Sequence, residues 1–224
     1  KFTELIIPKP SKKNKKIIES IIADVKKNGD SAVIKYEKKF GGVIKGSLKV
    51  SKQEIKNSYS KVTKEQINAI KIAKKRLSKT ELAVKNKLKD FVINTDGIII
   101  KKFFIALSIV GCYLPGGSAR YPSSLVMSVV PAKIAGVKRI VVVSPPNNQG
   151  TIDPLTLVTA DICGVDEIYK TGGAQAIAAL SYGTNSIMLV DKIVGPGNVF
   201  VSTAKSLVSE DVLIDMIAGP TELG

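Results

Sequence analysis

Residues 139–146 read Arg-Ile-Val-Val-Val-Ser-Pro-Pro. The apolar run Ile140–Val143 shows no alternation of apolar and polar side chains. A strand wetted on one face alternates; a strand covered on both faces does not. The run therefore reads as a strand buried between layers. Similar strands are expected near 107–113, 167–171, 190–194 and 212–217. Helical stretches lie between them, near 123–136, 153–163, 174–182 and 198–209. This alternating order predicts a mostly parallel sheet with right-handed crossovers. Pro131 falls inside the first of these helices, where it should kink or break it.

Four glycine-rich segments stand where a strand hands over to the next element. They span 111–118, 171–180, 194–198 and 217–222. Open α/β sheets bind ligands in the crevice at the carboxyl ends of their strands. Glycine permits close backbone approach, and a helix N-terminus favours an anion. Gly172-Gly173-Ala174-Gln175 opens an alanine-rich helix; it is either a plain strand-to-helix turn or a polar-ligand site. The segment is not G-x-G-x-x-G, so the dinucleotide fingerprint is absent. Asn198 can cap the next helix or turn its amide into the crevice. Tyr113 can stack on a ligand ring or form a core edge. Thr221 and Glu222 fit a ligand site or ordinary loop solvation equally well.

Some chemistries lack their residues. The chain has no histidine. Of its two cysteines, Cys112 precedes Tyr113 on a strand, so its thiol should face the opposite side and act as a small core residue. Cys163 reads as packing. No paired cysteines or dense carboxylates form a metal-ligand set. Free thiols without a disulfide framework point to the cytoplasm. The apolar content of 44% fits a soluble globular protein, and no apolar run is long enough to cross a bilayer. Lys1 to Pro10 lacks the pattern of a signal peptide.

The first half reads as helical. A stripe of Ile17, Ile18, Ile21, Ile22 and Val25 ends at Asn28-Gly29, with Ser11 or Asn14 as cap. Lys12, Lys13, Lys16, Lys26 and Lys27 should face solvent. Asp30 is expected to cap a second helix carrying Ala32, Val33, Tyr36 and Phe40. Ser51 and Glu54 have capping-box spacing. Thr63 starts a long helix through Ile67, Ile70, Ile72 and Leu77. Asn94-Thr95-Asp96-Gly97 turns a hairpin over 91–104. Residues 1–102 hold 27 basic and 10 acidic residues; residues 103–224 hold 7 and 9. The basic half is almost all lysine, with Arg76 its only arginine. Base-edge recognition prefers arginine, so these charges read as solvated helix faces rather than a nucleic-acid surface.

The motif blocks resemble the histidinol dehydrogenase family. They are Gly-Cys-Tyr-Leu-Pro-Gly-Gly-Ser (111–118), Tyr-Pro-Ser-Ser (121–124) with Pro-Ala-Lys-Ile-Ala-Gly-Val (131–137), and Val-Ser-Pro-Pro (143–146). They continue with Gly-Gly-Ala-Gln-Ala-Ile-Ala-Ala-Leu (172–180), Asp-Lys-Ile-Val-Gly-Pro-Gly-Asn (191–198) and Ile-Asp-Met-Ile-Ala-Gly-Pro-Thr-Glu (214–222). The resemblance implies NAD-dependent oxidation of L-histidinol to L-histidine, a zinc ion, and a homodimer, with no nucleic-acid or membrane partner. It puts Tyr113, Gln175 and Asn198 on NAD, and Thr221 where the family has a substrate-binding serine. The family's zinc ligands and catalytic Glu-His pair lie beyond Gly224, so no catalytic or metal residue is expected in this chain. Two expectations follow: part of a longer enzyme, inactive alone, or a shortened relative that only binds a nucleotide or small ligand. The fold expected is α/β: a helical N-terminal region with a terminal hairpin over 1–105, then an incomplete Rossmann-like domain over 106–224.

Overall fold

The computed structural model describes residues 12–116 and 120–216. Helix α1 (Lys12–Asn28) buries Ile18, Ile21, Ile22 and Val25 along one side. Lys16, Lys26 and Lys27 face solvent; the side chains of Lys12 and Lys13 lie outside the description. Ile17, expected on the buried stripe, is 42% exposed at its flank. Helix α2 (Asp30–Lys39) follows after Gly29, whose φ of 55° ends α1. Asp30 does not cap α2. Gly29 holds the cap position, and Asp30 sits in the first turn. Its carboxylate accepts from the Ser186 hydroxyl at 2.6 Å and the Ser186 N–H at 3.3 Å. The long-range donor wins over the local one.

Helix α3 (Lys52–Ser58) carries the capping box read from Ser51 and Glu54, with both halves formed. A 3-10 turn (Tyr59–Lys61) leads to α4 (Lys64–Lys85), capped by Thr63 with Gln66. Strands β1 (Phe91–Thr95) and β2 (Ile98–Lys102) form the expected antiparallel hairpin, turning at Asp96 and Gly97 with positive φ. All ten hairpin residues are exposed.

The second half alternates as expected: β3 (Ile109–Tyr113), α5 (Pro122–Ala135), β4 (Arg139–Ser144), α6 (Pro154–Cys163), β5 (Glu167–Lys170), α7 (Gly173–Tyr182), β6 (Lys192–Val194), α8 (Val199–Val208) and β7 (Leu213–Ile214). The sheet order is β5-β4-β3-β6-β7, and every strand pair within it is parallel. One short antiparallel edge adds to it: the Val50 N–H donates to the Ile168 carbonyl, and the Lys170 N–H to that of Leu48, each at 2.8 Å. Pro131 does not break α5, which runs through it unbroken.

The sheet separates two cores. Val141 and Val143 face one, with Ile18, Val25, Val33 and the apolar residues of α7 and α8. Ile140 and Val142 face the other, with α5, α6 and Ile70 of α4. The uninterrupted apolar run is thus one strand feeding two layers, because successive side chains point to opposite faces. Cys112 and Tyr113 divide between the cores in the same way. The N-terminal helices complete both layers: α1 and α2 pack on α7, while α3 and α4 pack on α6.

Candidate functional site

The chain goes from β3 to β4 on one side and places β6 on the other. Between β3 and β6 the order of strands reverses, and open α/β sheets form their ligand crevice at such a point. A cleft of about 1210 Å³ opens there, at the carboxyl ends of the strands. Its floor is Ser144 at the end of β4 with Pro145 and Pro146, and the turn Gly172-Gly173; Phe40, just past α2, and Phe200 of α8 also line it.

The glycines were expected to let backbone approach a ligand. They mostly let the protein approach itself. A Cβ on Gly172 would lie 2.6 Å from Cβ of Pro145, and one on Gly116 would also collide with that ring. At Gly195 a Cβ would strike the Tyr113 carbonyl. The loops close around Pro145, and β6 closes against the end of β3.

The N-terminus of α7 is likewise already used. The Gly172 N–H donates to Oε1 of Glu37 at 2.7 Å, and the Gly173 N–H donates to the Tyr113 hydroxyl at 3.2 Å. Both donors are taken by the protein's own side chains rather than left for a ligand anion. Tyr113 is 4% exposed; it sits beneath the cleft rather than on its lining. Burial, and then the charge of Glu37, raise its phenol above the ordinary value, against the Gly173 N–H that lowers it.

Gln175 and Asn198 both line the cleft. Asn198 caps its helix, as one of its two readings expected. Its Oδ1 caps α8, accepting from Phe200 N–H at 3.1 Å and Val201 N–H at 3.2 Å. The residue is exposed, and its side-chain nitrogen carries two further donors. Gln175 is 2% exposed. Its Nε2 donates to Oε1 of Glu37 at 2.7 Å, and its Oε1 is buried without a hydrogen-bond partner. Most buried polar groups are paired, so an orphan in a cleft marks a place for a ligand donor.

Glu37 was missed by sequence reasoning. Its signal was its position: with Val33 and Tyr36 it lies on the buried face of α2. It is 3% exposed and also accepts from the Thr171 hydroxyl at 2.8 Å. Burial pushes its carboxyl above the ordinary value, although three hydrogen bonds pull the other way. Thr221 and Glu222 lie outside the described residues.

Two carboxylates near the glycine turns have structural tasks. Asp191 accepts from Ser108 N–H at 2.7 Å and Ile109 N–H at 2.8 Å, which starts β3. Asp215 accepts from Gly195 N–H at 2.8 Å and pairs with Lys205, whose ammonium also donates to the Gly195 carbonyl. They clamp the turn beside a second hollow of about 950 Å³. Among the described residues no group of three His, Cys, Asp or Glu side chains could hold a metal ion. Burial pushes the Cys112 thiol up to about 12 and that of Cys163 up to about 11, away from the thiolate a ligand or nucleophile needs.

Comparison with known proteins agrees with this architecture. The family model described as histidinol dehydrogenase matches residues 8–224. A histidinol dehydrogenase of Clostridium acetobutylicum is 48% identical, covering 100% of this chain and 52% of the relative. That of Methanocaldococcus jannaschii is 45% identical over 92% of this chain and 48% of the relative. The crystal structure of histidinol dehydrogenase from Elizabethkingia anophelis superposes with a TM-score of 0.87 at 37% identity, covering 92% of this chain and 48% of that one. The chain spans about half the length of the curated relatives it matches. With a match over nearly its whole length, this chain belongs to the histidinol dehydrogenase family.

Proposed function

We propose that this chain supplies the dinucleotide side of a histidinol dehydrogenase, which oxidises L-histidinol to L-histidine in two NAD-dependent steps. The observation that carries the reading is the orphaned Gln175 Oε1, buried in the switch-point cleft. NAD, when bound, supplies the hydride acceptor. In this chain, Gln175 offers that ligand an acceptor and Asn198 a donor. Tyr113 supports the cleft floor by holding the Gly173 N–H. Phe40 and Phe200 give apolar walls that keep water from the bound group. Thr221 contributes a hydroxyl toward the substrate, as the resemblance implies.

Zinc fits the described residues poorly. They hold no three-ligand cluster, and the sequence has no histidine. The protein acts in the cytoplasm as a homodimer, two properties carried by the family resemblance. Among the described residues no helix is long and apolar enough to cross a membrane.

The test is an NMR titration of the isotope-labelled chain with NAD up to millimolar concentration. Saturable shifts centred on Gln175 and Asn198 are expected. Shifts confined to another surface, or none, would refute the site.

A further inference from the structure

We propose that Glu37 is a positioning residue for the dinucleotide: it turns the Gln175 amide so that its oxygen, not its nitrogen, meets the ligand. The inference rests on the reading of the cleft as an NAD site. A glutamine amide has an accepting end and a donating end of nearly equal shape, and its surroundings decide which end faces a ligand. Here one neighbour decides. A carboxylate only accepts, so the amide end 2.7 Å from Glu37 Oε1 has to be the nitrogen.

Glu37 can impose this because it is itself held. The same oxygen accepts from Thr171 Oγ1 at 2.8 Å and from the Gly172 N–H at 2.7 Å. Its other oxygen occupies space that a side chain at position 42 would fill: a Cβ on Gly42 would lie 2.8 Å from Oε2. The carboxylate cannot swing toward Gly42's side of the cleft without losing three donors. Gln175 is confined by its own burial, at 2% exposed, and the missing side chain of Gly173 leaves the room its Oε1 occupies: a Cβ there would lie 2.9 Å away. The chain Thr171–Glu37–Gln175 therefore ends in one committed acceptor. The matching ligand group is a donor: a carboxamide N–H, an exocyclic amine or a ribose hydroxyl, all of which NAD carries. A ligand presenting only acceptors at that point would leave two oxygens face to face.

The helix that bears Glu37 lies about 135 residues from Gly172 in sequence. Its role is thus also the means by which the N-terminal helices reach the cofactor. Glu37 need not touch the ligand to do so.

The experiment measures NAD affinity by chemical-shift titration in five proteins: wild type, Glu37→Leu, Glu37→Gln, Gln175→Ala and the double variant Glu37→Leu/Gln175→Ala, with thermal unfolding as the check on folding. Glu37→Leu should weaken NAD binding about tenfold, the scale of one lost directed hydrogen bond. Glu37→Gln, which keeps an accepting oxygen, should stay within about threefold of wild type. In the Gln175→Ala background, Glu37→Leu should no longer change affinity, although it still lowers the unfolding midpoint. An equal loss in both backgrounds means a merely structural role and overturns the proposal. Unchanged affinity in folded Glu37→Leu overturns it too, and leaves the NAD site standing. Absence of NAD binding in the wild type ends both readings together. If Glu37→Leu does not fold, the wild-type complex decides. Gln175 side-chain amide protons that stay protected from exchange with NAD bound support the orientation; loss of that protection overturns it.

Discussion

Lys170, on the edge strand β5, places its ammonium 3.0 Å from the Glu54 carboxylate with only 4% of its own side chain exposed. Glu54 also closes the capping box of α3, accepting from the Ser51 N–H at 2.8 Å. Burial raises the Glu54 carboxyl, but Ser51 and Lys170 together hold it below the ordinary value. One side chain thereby fixes the start of a helix and neutralises a buried cation. Glu54→Ala should destabilise the fold by about 3 kcal/mol, because it strands Lys170 without a partner. Adding Lys170→Met should recover most of that loss. Urea unfolding of the single and double variants is the measurement; a double variant no better than the single would show that the cost lies elsewhere.

Glu37 predicts a pH dependence of stability. Its folded carboxyl titrates above the ordinary value of 4.5, chiefly through burial. A raised carboxyl binds its proton more tightly in the fold than in the unfolded chain, so its contribution is full below about 4.5 and is lost as pH rises through the raised value. Tyr113, the titratable neighbour, is raised from 10.0 and stays neutral in this range. The stability of wild type relative to Glu37→Gln should therefore be best near pH 4 and fall toward pH 7. Urea midpoints for both proteins across that range test the sign, and a wild type that gains on Glu37→Gln as pH rises would contradict it.

The two tasks of Asn198 can be separated. Asn198→Ala should cost about 1 kcal/mol by uncapping α8, and should also weaken NAD binding. Asn198→Asp keeps an accepting oxygen for Phe200 and Val201 and suits the helix dipole, so stability should hold. It replaces the donor with an acceptor, so NAD affinity should still fall about tenfold. Calorimetric unfolding paired with NAD titration distinguishes them; intact affinity in Asn198→Asp would remove Asn198 from the cofactor contacts.

The 224-residue chain should not turn over histidinol. Alcohol oxidation needs a base for the hydroxyl proton, and histidine, the common choice, is absent from this sequence. Both thiols are buried and held protonated. Histidinol-dependent NADH formation should stay at background, with less than one zinc per chain by elemental analysis. Turnover with a stoichiometric metal would refute both statements.

Strands β3 and β4 were legible as apolar runs closed by Gly or Pro, and β5 (Glu-Ile-Tyr-Lys) by the Thr-Gly-Gly that closes it; that punctuation is local. Gln175 and Asn198 stood out for the same reason, each at its own strand-to-helix turn, the one after β5 and the other after β6. Glu37 could not, since its partners Thr171, Gly172 and Gln175 meet it only when α2 docks on α7. Asp30 misled for a related reason: its distant donor Ser186 outcompetes the local cap. The glycines were found, yet their purpose was not, because Pro145 packs against Gly116 and Gly172 from another loop. Thr221 lies beyond the described residues.

The β1–β2 hairpin bears on how the chain behaves in concentrated solution. Phe91, Val92, Ile93, Ile98, Ile99 and Ile100 are all exposed, and each strand has one edge of unpaired backbone groups. A two-stranded ribbon is marginal by itself in water, and a bare apolar edge is a template for another strand. Lys101 and Lys102, charged and adjacent at the end of β2, oppose such pairing by repulsion between copies. Salt screens that repulsion within about 10 Å at 0.1 M. Purification in high salt will therefore favour edge-to-edge aggregation of this chain, and low salt will keep it dispersed.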